Sequence, residues 1–75
     1  MTSLAQLGVG QSAKIVQLSQ NGESAQRLME MGLTPGVQIR FIGSAPLGDP
    51  LEYELRGYKL CMRRSEAEQI EVEAS

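Results

Sequence analysis

Arg27-Leu28-Met29-Glu30-Met31-Gly32-Leu33-Thr34-Pro35-Gly36 is the stretch that decides the fold. It reads as the last turn of a short helix, a glycine stop, a second tight turn and the launch of a strand. Gly32 suits the left-handed position that ends a helix, and Leu33 just beyond it can fold back onto Leu28. Thr34-Pro35-Gly36 carries Pro and Gly where a type II turn wants them, if that turn begins at Thr34. Gly32, Pro35 and Gly36 are therefore expected to be architectural. Met29, Met31 and Leu33 are open to two readings. As a stripe at helical spacing they are core; as too many flexible apolar groups for one short helix, they are a docking surface. The cap claims Leu33 and Met29 shares a face with Leu28, so Met31 is the sharpest candidate for contact.

Upstream of this stretch, the apolar set Ala25, Leu28 and Met29 predicts a helix over 23–31, with Gln26, Arg27 and Glu30 on its wet side. Either Asn21 or Gly22 could begin it. Glu23 and Arg27 sit at the ends that the helix dipole favours. Ser12 to Leu18 reads as a strand whose alternation falters at Ile15-Val16. Before it, Leu4 and Leu7 after Ser3 suggest one helical turn plugging the end of a barrel. Gly8-Val9-Gly10 with Ala13 matches a dinucleotide-loop pattern, but no strand precedes it and no crossover helix follows, so it is read as a turn.

Downstream, the period switches to two. Val37, Ile39 and Phe41 alternate with Gln38 and Arg40. The loop 44–50 carries Gly48 as a turn residue and Leu47 at its tip, which either tucks under or is an exposed apolar contact. Leu51, Tyr53 and Leu55, then Tyr58, Leu60 and Met62, form a hairpin turning at Arg56-Gly57, with Glu54 opposite Lys59. Cys61, off the core face, is read as a small residue packed against the helix. Ser65-x-x-Glu68 is a capping box on a single turn. Ile70 and Val72 make a last strand whose Glu71 and Glu73 would guard an edge. Five short strands, one helix after the first and a one-turn helix before the last predict a mostly β, SH3-like barrel.

The composition narrows function. Seventy-five residues, 1–75, make a single domain near the lower limit for one apolar core, with little material for a catalytic cleft. The net charge is −2, there is one cysteine and no histidine. A disulfide within the chain, a multi-cysteine zinc site, imidazole metal ligation and the Ser-His-Asp and Cys-His mechanisms are thereby excluded. No catalytic residue, metal site or cofactor is expected. No apolar run reaches the length of a membrane span, and Met1-Thr2-Ser3 begins no signal peptide, so a cytoplasmic protein is expected.

Four blocks, in order and in register, carry a resemblance: Leu28 to Gly36; Ala45-Pro46-Leu47-Gly48-Asp49-Pro50; Arg56-Gly57-Tyr58-Lys59-Leu60; and Arg63-Arg64-Ser65-Glu66-Ala67. Together they resemble the FeoA family from Leu4 to Val72, departing at Val9, where that family usually has Pro. The resemblance implies an SH3-like cytoplasmic accessory protein of bacterial ferrous iron uptake. It would bind the cytoplasmic G-protein part of the FeoB transporter and have no enzymatic reaction. With no helix-turn-helix ahead of the domain, a stand-alone form is expected rather than the tail of an iron-dependent repressor; homo-oligomers are left open. The candidate partner-binding surface is Arg27, Met29, Met31, Leu33 and Leu47, with Gly32, Pro35, Gly36, Gly48 and Gly57 as structural turns. Besides direct metal binding by the carboxylates Glu71 and Glu73 or Glu52 and Glu54, which read more simply as a solvated edge, two other functions compete. One is a trans-acting arginine for GTP hydrolysis, for which nothing selects among Arg27, Arg56, Arg63 and Arg64. The other is nucleic-acid binding by Lys59, Arg63, Arg64, Arg56 and Arg40 with Tyr58 stacking, which the acidic balance opposes.

Overall fold

The structure is a computed structural model that describes residues 2–18 and 23–74, with Glu23 and Ser24 described by backbone alone. The question of whether Asn21 or Gly22 starts the helix lies outside the described residues. Among the described residues six strands occur, not five: β1 (Thr2–Ser3), β2 (Ser12–Leu18), β3 (Gln38–Ser44), β4 (Leu51–Leu55), β5 (Tyr58–Met62) and β6 (Ile70–Ala74). A helix α1 (Glu23–Glu30) joins β2 to β3, and a one-turn helix α2 (Arg64–Ala67) joins β5 to β6. The 3-10 turn Leu4–Gln6 follows β1. The sheet is antiparallel in the pairings that link neighbours and runs β1-β6-β2-β3-β4-β5.

This order corrects one expectation. β6 lies between β1 and β2, so Glu71 and Glu73 guard no edge. Glu71 instead accepts a hydrogen bond from Gln17 Nε2 at 3.1 Å across the β2–β6 ladder. The edges are β1 and β5. β1 is two residues long, too short to show a period, which is why the sequence conceals it.

Two bulges explain the imperfect alternation. Against β6 the register of β2 skips Val16, and against β4 that of β3 skips Ile42. Each extra residue bends its strand and increases the local twist. That curvature helps the sheet wrap around one core containing Leu4, Ile15, Leu28, Leu33, Ile39, Leu51, Tyr53, Leu55, Ile70 and Val72. The sheet curls back toward its start: Tyr53 on β4 donates its hydroxyl to the Leu4 carbonyl beyond β1 at 3.0 Å. Leu4 and Leu7 are both buried, so the 3-10 turn plugs that end.

The hairpin has the register its symmetry implies: Leu55 opposite Tyr58, Glu54 opposite Lys59, Tyr53 opposite Leu60. Its ion pairs run elsewhere. Arg40 on β3 pairs with Glu54 at 3.2 Å, and Lys59 reaches diagonally to Glu52 at 3.5 Å. The α2 cap also differs from expectation. Glu66, not Glu68, reaches back, its Oε1 accepting the Arg63 N–H at 3.0 Å; Asp49 Oδ1 accepts the Arg64 N–H at 2.8 Å. A carboxylate from the neighbouring loop does what Ser65 was expected to do.

Candidate partner-binding site

The helix stop follows the two-bond pattern of a Schellman cap. Leu33 N–H donates to the Leu28 carbonyl at 3.1 Å and Gly32 N–H to the Met29 carbonyl at 3.0 Å. Gly32 has φ +106, and a Cβ placed there would lie 2.8 Å from the Tyr58 hydroxyl. That hydroxyl donates to the Met31 carbonyl, fastening the end of α1 to the start of β5. The second turn closes through Val37 N–H to the Thr34 carbonyl at 3.2 Å, with Gly36 at φ +93. Gly36 N–H in turn donates to Ile15 O at 2.8 Å, seating the turn on β2.

This geometry divides the candidate residues. Leu33 is fully buried and cannot touch a partner. Helical spacing places Met29 inward and Met31 outward, and the structure reverses them. Met29 is 45 % exposed, whereas Met31 is half-buried against the core. The reason is that the helix ends at Glu30: Met31 already follows the turn back toward the sheet, whereas among the described residues Met29 stands on an uncovered flank. Leu47 is 96 % exposed. It sits third in a turn closed by Gly48 N–H to the Ala45 carbonyl at 2.8 Å, which holds it away from the body.

Between α1 and β5 runs a groove of about 230 Å³. Its apolar floor is Leu28, Met31, Pro50 and Met62; Arg27, Arg63 and Glu66 form its rim, and Cys61 lies at its mouth. Cys61 is exposed, not packed against the helix as the sequence suggested. Tyr58, expected in core phase, is 43 % exposed. On the rim Arg27 pairs with Glu66, so one glutamate both caps α2 and ties it to α1. Asp49 pins the loop that bears Leu47: besides the Arg64 N–H it contacts Arg63 at 3.6 Å, while the Arg64 guanidinium donates to Gly48 O at 3.2 Å. Asp49 and Glu66 are the two residues sequence reasoning missed, Asp49 because it acts on α2 from a separate loop and Glu66 because its pairing with Arg27 reaches α1. Among the described residues, no three His, Cys, Asp or Glu side chains converge as a metal site.

Curled sheet, plugging 3-10 turn, capping helix and groove define a small, mostly β domain of the SH3-like class. A zinc complex of Stenotrophomonas maltophilia FeoA, described as a prokaryotic SH3 domain protein, superposes with a TM-score of 0.86 at 27 % identity, covering 97 % of this chain and 91 % of that one. The chain matches the FeoA domain over residues 2–74 and belongs to that family. The solution structure of FeoA from Chlorobium tepidum is also similar: TM-score 0.90, 37 % identity, 97 % of this chain and 70 % of the other. A Porphyromonas gingivalis relative is the Fe(2+) transport protein A/Fe(2+) transporter FeoB fusion protein, 39 % identical over 70 residues. That alignment takes in 93 % of this chain but spans only 8 % of the relative's length. Among the described residues no helix is long and apolar enough to cross a membrane.

Proposed function

We propose that this protein is a small cytoplasmic accessory protein of ferrous iron uptake, acting by binding the cytoplasmic G-protein part of a FeoB-like transporter. The observation that carries the reading is the relative in which a domain 39 % identical to this one shares a chain with FeoB. Two functions joined in one chain meet at a high effective concentration, and separate chains must replace that linkage with an interface. The surface that suits such an interface is the α1–β5 groove with Met29 and Leu47 displayed beside it, apolar at the centre and rimmed by Arg27 and Arg63. Binding one conformation of the G domain better than another would shift its population and so its turnover or the gate it controls.

The test is a titration of the transporter's isolated cytoplasmic domain with wild-type protein and with Met29→Glu and Leu47→Glu. Both side chains are exposed, so unfolding free energies should stay within about 0.5 kcal/mol of wild type while binding weakens at least about tenfold. Unchanged binding by both folded variants would move the interface elsewhere.

A further inference from the structure

The free edge of β5 faces the same groove, and its main chain is where the inference starts. Leu55 and Tyr58 flank a two-residue turn, so they form a hydrogen-bonded pair, and such pairs alternate along the ladder. Tyr53–Leu60 and Leu51–Met62 are therefore bonded pairs as well. Glu54–Lys59 and Glu52–Cys61 are not, and Lys59 and Cys61 direct both N–H and C=O away from β4. No strand lies on that side among the described residues. At Cys61 this row of donors and acceptors borders the groove whose floor includes Leu28, Met31 and Met62.

Charge says what could add to this edge. Residues 55–65 contain Arg56, Lys59, Arg63 and Arg64 and no acidic residue, in a chain with net charge −2. Arg27 stands on the opposite wall, paired with Glu66, so that Arg27 and Arg63 both rim the groove. Lys59 and Arg63 hold their acidic neighbours only at 3.5 and 3.6 Å, with exposed side chains. Such contacts are worth little and re-form readily with another carboxylate. A second copy pairing antiparallel about Cys61 would set Lys59 against Arg63, like charge on like charge. The edge thus repels its own kind.

The geometry points to strand addition at β5: a short, extended, acidic segment pairs with the main chain at Cys61. Its apolar side chain fills the Leu28–Met31–Met62 floor, and its carboxylates meet Lys59 and Arg63. Main-chain bonds would give affinity, while the groove and cations would give specificity. The inference deepens the transporter reading and rests on it for the segment's source, the transporter's cytoplasmic part.

The probe is a short peptide alternating glutamate with valine and phenylalanine, compared with its lysine counterpart and with the isolated cytoplasmic domain. The glutamate peptide should bind at least about tenfold more tightly than the lysine peptide, weaken with salt, and slow exchange of the Cys61 amide. Cys61→Pro removes an N–H that the β4 ladder does not use and should weaken binding about tenfold, while Cys61→Ala should not. The amide readout on wild-type protein stands even if the proline variant fails to fold. Equal affinity for the two peptides, or an unprotected Cys61 amide, overturns the inference. Concentration-dependent dimerisation lost in Cys61→Pro does so too, by giving the edge to a second copy. If the cytoplasmic domain binds without displacing the peptide, strand addition is not how the transporter is held and the reading of the preceding section stands. If the peptide binds at Cys61 and the domain does not bind at all, the edge keeps its acidic ligand and the transporter reading fails.

Discussion

Gly32 is held by two separate requirements, and they can be taken apart. Its φ of +106 is one that a residue with a Cβ adopts only under strain; the Tyr58 hydroxyl occupies the space that the Cβ would need. Gly36, at φ +93, has the first constraint only, with nothing within 4 Å of an added Cβ. Gly32→Ala should therefore lower unfolding free energy by about 1–3 kcal/mol, and by more than Gly36→Ala does. In a Tyr58→Phe background the loss at Gly32 should shrink, because the clashing oxygen is gone. Denaturant unfolding of the four variants checks this; equal losses with and without the hydroxyl would leave backbone strain as the only cause. The cap was legible in the sequence because Gly, Leu and Pro at fixed offsets follow local rules. The Tyr58 contact was not, since it joins residues 27 apart in the chain. The exchange of roles between Met29 and Met31 has the same origin: helical period assigns a face, but where the helix stops and what stands opposite decide which methionine is covered.

At the level of elements, α2 and the Leu47 loop form one unit tied by Asp49. Its Oδ1 accepts the first N–H of α2, and Arg64 returns a bond to the Gly48 carbonyl. A helix of four residues cannot persist without such capping. Asp49→Ala should cost about 1 kcal/mol, in the range of a lost N-cap, and should speed amide exchange at both Arg64 and Gly48. Asp49→Asn keeps an acceptor and should lose less. If exchange rises at Arg64 alone, the loop is held by something other than Asp49. For binding, the same variant should weaken partner capture while leaving Leu47 itself intact, because a mobile anchor must be ordered on association. The hairpin register was readable because a two-residue turn fixes it. The bulges at Val16 and Ile42 were not, since a skipped residue is defined by the neighbouring strand.

Across the whole molecule, closure depends on Tyr53. It is fully buried, its ring lies 5.2 Å from that of Phe41, and its hydroxyl joins β4 to the turn after β1. The sequence placed Tyr53 in the core but not this bond, because sheet order, and with it the approach of β4 to the turn after β1, is set by pairings between distant segments. Burial pushes the Tyr53 hydroxyl far above the ordinary tyrosine range, with Arg64 pulling it back only in part. In the unfolded chain the same group ionises near pH 10. The unfolded state therefore releases this proton first, so the Tyr53 contribution is complete below pH 10 and is lost as pH rises beyond it. One such proton lowers stability by at most about 1.4 kcal/mol per pH unit. Tyr53→Phe has nothing to ionise, but strands the Leu4 carbonyl and should cost about 1–3 kcal/mol at neutral pH. Its stability should then fall less steeply than that of wild type above pH 10, so the two curves converge. Urea unfolding from pH 8 to pH 11 reads both. Parallel curves for wild type and Tyr53→Phe would mean that the hydroxyl ionises as freely in the folded protein as in the unfolded, and that the sheet is held closed by apolar packing alone.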